Sequence, residues 1–290
     1  MSAIEHEVAS QPEVWRSAAG LAPTAPLPPP GARLAVAGCG TSFYIAQAYA
    51  AAREAAGQGE TDAFPASEFP GGRRYDALLA ISRSGTTTEV CDLLRAASGT
   101  TPTVAVTAVE DSPVRTLADE TVVLSFADER SVVQTRFATS ALVLLLAHLG
   151  IDSEPAVTAA RRALAGPLPV DPASFGRFQF LGRGWTIGLA HEAALKLREA
   201  AQAWAEAYPA MEYRHGPIAL ADGSTAVLAL GEIDASLASD VRATGATLVD
   251  GDSHPLATLV LAHRLAIDLA RARGLDPDAP RNLTRSVVLP

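Results

Sequence analysis

Short apolar runs alternate with longer amphipathic stretches along this chain, and glycines and hydroxyl residues stand at many of the joins. ARLAVAG (Ala32–Gly38) predicts a short buried strand, GCGTS a turn, and FYIAQAYAAAREAAG a helix closed by Gly57. The same grammar repeats at once: DALLAIS (Asp76–Ser82) predicts a buried strand, RSGT a loop, and Thr87–Ala97 an amphipathic helix. TPTVAVTAV and ETVVLSF predict two more strands before an apolar helix that ends near Gly150. Strands that alternate with helices in this way imply a parallel sheet covered by helices.

A connecting helix is expected over Glu154–Ala165, followed by a linker, GPLPVDP (Gly166–Pro172), after which the alternation restarts. FQFLGRG predicts a strand running into a glycine turn, and Ile187–Tyr208 one long helix. TAVLAL and ATLVDG predict strands, and LATLVLAHRLAIDLARARG the last helix. Upstream, Glu5–Ala19 predicts an interrupted helix ending at Gly20, and the proline-rich stretch Ala22–Gly31 a linker that cannot lie inside a helix. The expected organisation is an N-terminal helix and linker (1–31), a first α/β domain (32–153), a connecting helix and linker (154–173) and a second α/β domain with a C-terminal tail (174–290).

Composition narrows the function classes. With 290 residues, 48% apolar and 19% charged, the chain can bury full cores and is not disordered. A net charge of -9 without any basic stretch argues against nucleic-acid partners. Cys39 and Cys91 are too few for a disulfide framework, the N-terminus lacks a basic region followed by an apolar core, and a cytoplasmic location is expected. The uncharged run Thr139–Ala147 is far short of the roughly 20 residues that span a bilayer, so no membrane is implied. His6, His148, His254 and His263 have no partner at metal-ligand spacing, and no metal or cofactor is expected.

Two loops invite a ligand. Gly38, Cys39, Gly40, Thr41 and Ser42 follow one strand, and Ser82, Arg83, Ser84, Gly85, Thr86 and Thr87 follow another. Each feeds a helix at the carboxyl edge of the expected sheet, where unpaired N–H groups favour an anion. Nucleotide fingerprints fail, because the sixth position of a GxGxxG counted from Gly38 is Phe43 and no glycine–lysine–hydroxyl triplet follows. The residues also suit plain helix caps and turns; taken together they favour a phosphate.

A third signal is Lys196, the only lysine in a chain whose other basic residues are arginines. Glu192, Lys196 and Glu199 share one helical face, and His215 follows in the loop YRHGPIAL. An exposed salt-bridge ladder would give this spacing; so would carboxylates held beside a cation to move protons.

At these residues the sequence resembles the sugar isomerase (SIS) domain family, most closely the isomerase half of glucosamine-6-phosphate synthase, the glutamine:fructose-6-phosphate aminotransferase. The stretches that carry the resemblance are AGCGTSFYIAQ, ISRSGTTTEV, ADERSVVQTRFATSAL, LGRGWTIGLAHEAALKLREAAQAWAEAYPAMEYRHGPIALAD and PRNLTRSV. It implies two SIS lobes and a bound sugar phosphate, with Ser42, Ser82, the Arg83 backbone, Ser84 and Thr87 at the phosphate, Thr41 and Val132 at the sugar, and Gly40, Thr284 and Arg285 also among the substrate-binding residues. It further implies Glu199 as the base that moves a proton between carbons one and two, supported by Glu192 and Lys196. His215 would open the sugar ring and come from the partner subunit, making a homodimer the catalytic unit.

Two departures qualify the match. The chain starts at the linker helix, so no glutaminase is expected; and the family's C-terminal asparagine–leucine–small–lysine run reads Asn282, Leu283, Thr284, Arg285 here. An arginine stays protonated and cannot form the imine made by the family's lysine, though its charge could steer an anionic substrate. The expected activity is isomerisation or deamination of an amino-sugar phosphate through an enediol or enolamine, without a cofactor. The alternatives are a deglycase of amine-modified hexose phosphates and a non-catalytic phosphosugar sensor.

Overall fold

The computed structural model describes residues 2–250 and 253–289. The chain forms two compact units. One comprises Glu13–Arg130, Gln134–Ser153 and the tail from Thr284; the other comprises the residues up to Pro12, Ser131–Val133 and Glu154–Leu283. This division differs from the expected boundaries in placing the first turns of the N-terminal helix with the second sheet and the C-terminal tail with the first.

In the first unit, β1 (Leu34–Gly38), β2 (Thr61–Pro65), β3 (Ala77–Ile81), β4 (Thr103–Thr107) and β5 (Glu120–Val123) form one sheet in the order β2-β1-β3-β4-β5. Every pairing is parallel. Its helices are α2 (Thr41–Ala55), α3 (Thr88–Ala97), α4 (Pro113–Leu117) and α5 (Arg136–His148). Leu34–Ala37 and Ala77–Ile81 are buried along their whole lengths, as the continuous apolar runs require of strands covered on both faces. The edge strand β2 was not foreseen, because TDAFP is short, partly polar and closed by a proline that only an edge position tolerates.

In the second unit, β6 (Arg177–Gly182), β7 (Trp204–Pro209), β8 (Thr225–Ala229) and β9 (Thr247–Val249) are parallel in the order β7-β6-β8-β9. Around them lie α6 (Glu154–Ala165), α7 (Thr186–Ala201), α8 (Ala235–Ala243) and α9 (Pro255–Ala272). Gly251, at the end of the expected strand ATLVDG, lies outside the described residues.

Three sequence expectations are corrected. The N-terminal helix α1 runs without a break from Ala3 to Leu21 although Pro12 lies inside it. Proline removes the N–H that would reach the Val8 carbonyl, and the Gln11 side-chain amide donates to that carbonyl instead, at 3.3 Å. The proline-rich stretch is no free linker: Arg53 donates to the Pro29 carbonyl at 3.0 Å, Gly31 N–H to Gln58 at 2.8 Å, and Leu27 is buried.

The predicted helix Ile187–Tyr208 ends at Ala201. Gln202 turns left-handed at φ 51°, and the N–H groups of Gln202 and Ala203 return to the carbonyls of Arg198 and Leu197. WAEAYP then pairs with β6 as an edge strand. Alanines are silent between helix and strand, and only the open edge of β6 decides the matter. Because exposed Gln202 holds a conformation that disfavours side chains, Gln202→Gly should raise stability by up to about 1 kcal/mol in urea unfolding.

Candidate active site

Both sheets grow in two directions from their first strand, so each has a switch point where helices leave adjacent strands toward opposite faces. In the first unit this point lies between the ends of β1 and β3, at the two loops singled out by their composition. After β1 the chain passes Cys39 and Gly40 and enters α2 at Thr41, so Thr41 and Ser42, both 3% exposed, sit in the first helical turn. A Cβ on Gly38 would come within 2.7 Å of Ser42, which is why glycine must end that strand. Cys39 packs against the first-unit core, and burial pushes its thiol upward, unlike an activated nucleophile.

After β3 the loop Ser82–Thr87 is tied down from within. Ser82 Oγ accepts the Gly85 N–H and Ser84 Oγ the Thr86 N–H, each at 3.2 Å. Gly85 adopts φ 65°, and a Cβ there would lie 2.5 Å from Ser112 Cβ. The Arg83 carbonyl is held by Ala108 N–H at 3.0 Å and by the Thr107 hydroxyl at 3.1 Å. Thr87 precedes the first residue of α3, and its side chain makes no capping bond, which leaves its hydroxyl for other partners.

The Arg83 side chain has a role that its sequence neighbourhood did not show. It is 1% exposed and 3.7 Å from the fully buried carboxylate of Glu129, which also accepts the N–H groups of Thr135 and Arg136 at the start of α5. Arg83 donates in addition to the Arg285 carbonyl at 3.0 Å. Arg285 itself pairs with Asp128 at 2.5 Å and donates to the Glu129 carbonyl, so its charge is already engaged by a carboxylate. Thr284 bonds the Ser286 carbonyl at 2.8 Å and closes a turn in the tail. That turn brings the Ser286 hydroxyl to 3.0 Å from Ser84, 2.9 Å from Thr86 and 3.5 Å from Thr87. Sequence reading missed Ser286 and Glu129, since nothing local marks a residue whose partners lie so far away in the chain.

In the second unit α7 carries the charged trio on a buried face. Lys196 Nζ lies 2.6 Å from Glu199 Oε2 and 3.4 Å from Glu192 Oε1. The side chains of Lys196 and Glu192 are 1% and 0% exposed, which excludes the surface ladder, and only Glu199, at 20%, reaches outward. One carboxylate oxygen anchored on an ammonium and an open flank suits a base that takes a proton from a carbon acid. His215 ends a short 3-10 turn, Met211–His215, and is exposed. Val132 is half-buried between buried Ser131 and Val133.

Residues 30–149 match the SIS domain family. This part of the chain is a SIS domain. Over 304 residues the chain is 29% identical to a glutamine–fructose-6-phosphate aminotransferase (isomerizing) of Methanothermobacter thermautotrophicus, a match covering 89% of this chain and 52% of that one. The chain thus spans about half the length of this relative. Glucosamine-6-phosphate deaminase from Thermotoga maritima superposes with a TM-score of 0.85 at 24% identity, covering 99% of this chain and 100% of that one. Tagatose-6-phosphate ketose/aldose isomerase from Escherichia coli gives 0.78 at 20%, covering 100% and 96%. These two likenesses are of fold. The four-stranded sheet, outside the SIS match, repeats the strand order of the SIS sheet without its last strand.

Behind the trio, His263 of α9 is fully buried, and its Nδ1 lies 3.2 Å from the Gln11 amide nitrogen. Because that amide also donates to Val8, Nδ1 acts as acceptor and the ring proton sits on Nε2. Burial, reinforced by the charge of Lys196, lowers the pKa from 6.5 to about 3. The unfolded chain therefore binds one more proton between those values, and stability should fall by up to about 1.4 kcal/mol per unit as pH drops from 6.5 toward 3. Urea unfolding of His263→Leu across that window should lack this component of the slope; an unchanged slope would place the acid sensitivity elsewhere.

Proposed function

We propose that the protein is a phosphosugar isomerase acting on an amino-sugar phosphate, with Glu199 as its base. The observation that carries this reading is the carboxylate of Glu199, fixed at one oxygen by a buried lysine and open on its flank, in a chain that contains a SIS domain. Ser42, Ser82, Ser84 and Thr87, with backbone N–H groups at Gly40 and Arg83, hold the phosphate. Thr41 and Val132 line the sugar, and the tail residues Thr284 and Arg285 complete its surroundings.

The reaction needs no redox partner. Glu199 removes the proton from the carbon beside the open-chain carbonyl, giving an enediol or enolamine, and returns it to the neighbouring carbon. With an amino sugar, water then hydrolyses the resulting ketimine and releases ammonia, a step in keeping with the deaminase named among the structural neighbours. Lys196 is engaged by two carboxylates rather than presented as a nucleophile, and position 285 is arginine, both of which favour a path without a protein-bound imine. His215 opens the ring in the site of a partner subunit, a role that its exposure supports. The buried Glu192–Lys196 pair favours an enzyme over a sensor, because a binding module has no use for a costly buried charge beside a carboxylate.

Two measurements test the reading. Ser84→Ala combined with Thr87→Ala should weaken glucosamine 6-phosphate binding by about 1–3 kcal/mol in titration calorimetry, the worth of hydrogen bonds to a charged group. Equal binding of unphosphorylated glucosamine would sink the phosphate assignment. Glu199→Gln should bind the sugar phosphate as wild type does and lose at least about 10²-fold in turnover, as expected for a missing general base. Retained turnover would remove Glu199 from the mechanism.

A further inference from the structure

Glu7, in the helix that the sequence presents as a mere lead-in, is 2% exposed. Its Oε1 accepts the backbone N–H of Ser131 at 3.2 Å, and its Oε2 accepts the Ser131 hydroxyl. The same Ser131 hydroxyl lies 2.8 Å from the Val133 carbonyl and shares its single hydrogen between that oxygen and Glu7, so the three residues Ser131–Val133 close on themselves with Val132 between.

The helical turns that carry Glu7 are themselves fixed. Asp278 accepts the N–H groups of Ala3 and Ile4, each at 2.8 Å, and caps the helix start from a distant part of the chain. Arg271 pairs with Glu5 at 2.5 Å, and Gln11 meets His263. Ile4, Val8 and Gln11 are buried on the face that includes Glu7. Stability alone would favour an apolar residue there, since a carboxylate is expensive to take out of water. What a carboxylate adds is direction: two acceptor oxygens take both polar hydrogens of one serine and fix its backbone together with its side chain.

We propose that Glu7 is a positioning residue for sugar recognition, holding Ser131–Val133 in the one conformation that presents Val132 to the sugar ring. The inference rests on the assignment of Val132 to the sugar made above. Titration calorimetry with glucosamine 6-phosphate, tagatose 6-phosphate and inorganic phosphate separates the two. Glu7→Ala should weaken the sugar phosphates about tenfold, the worth of a hydrogen bond to a charged group, and leave inorganic phosphate within twofold of wild type.

Glu7→Gln keeps an oxygen for the Ser131 N–H, Ser131→Ala keeps the N–H itself, and each should show a smaller loss of the same selective kind. These two variants decide the matter if Glu7→Ala does not fold. Unchanged sugar-phosphate binding, or equal weakening of all three ligands, would overturn the role of Glu7. A wild-type protein that binds inorganic phosphate but neither sugar phosphate would overturn the assignment of Val132 and this role with it.

Discussion

A parallel sheet that extends in both directions from its first strand leaves a crevice where adjacent strands send their helices to opposite faces. Both sheets of this protein are built that way, in the orders β2-β1-β3-β4-β5 and β7-β6-β8-β9. The constraint explains why the ligand-suited residues of the SIS domain lie in two loops some forty residues apart in sequence and at neighbouring strand ends. It also explains the glycines there: Gly38 must let α2 start immediately beyond the strand, and Gly85 must turn left-handed against Ser112. The hydroxyls that follow are placed by these turns and by hydrogen bonds within the loop, so the loop is organised by its own backbone geometry.

Charge is handled differently. Two ion pairs buried among the described residues, Arg83–Glu129 and Lys196–Glu192, lie where apolar residues would cost less. In each case a charged partner also reaches a further residue or element. Arg83 and Glu129 tie the loop after β3 to the start of α5 and to the tail at Arg285. Lys196 orients Glu199, the one member of its trio with an open flank. The neutral imidazole of His263 and the carboxylate of Glu7 extend the pattern to α1, whose proline defect at Pro12 frees the Val8 carbonyl that orients the Gln11 amide.

Much of this was readable from the order of residues. The strands β1, β3, β4, β6 and β8 are apolar runs too short for helices, and α6 matches its predicted span from Glu154 to Ala165. Errors arose where local preference is weak. Alanine-rich WAEAYP reads as helix and becomes strand because β6 offers an open edge. TDAFP carries no clear strand signal and becomes strand for the same reason beside β1. Pro12 reads as a break and is bridged by its neighbour's side chain.

The sequence by itself determined the elements whose signal is local: the apolar periods, the glycines at strand ends, the hydroxyl-rich loops, and the spacing that sets Glu192, Lys196 and Glu199 on one helical face. Tertiary structure alone decided whether that face was buried, since i, i+4, i+7 spacing is the same in water and in a core. It alone brought Glu7 to Ser131, Arg83 to Glu129 and Ser286 to Ser84. Such pairings join residues distant in the chain, and their partners are chosen by how strands and helices stack, which no run of neighbouring residues encodes.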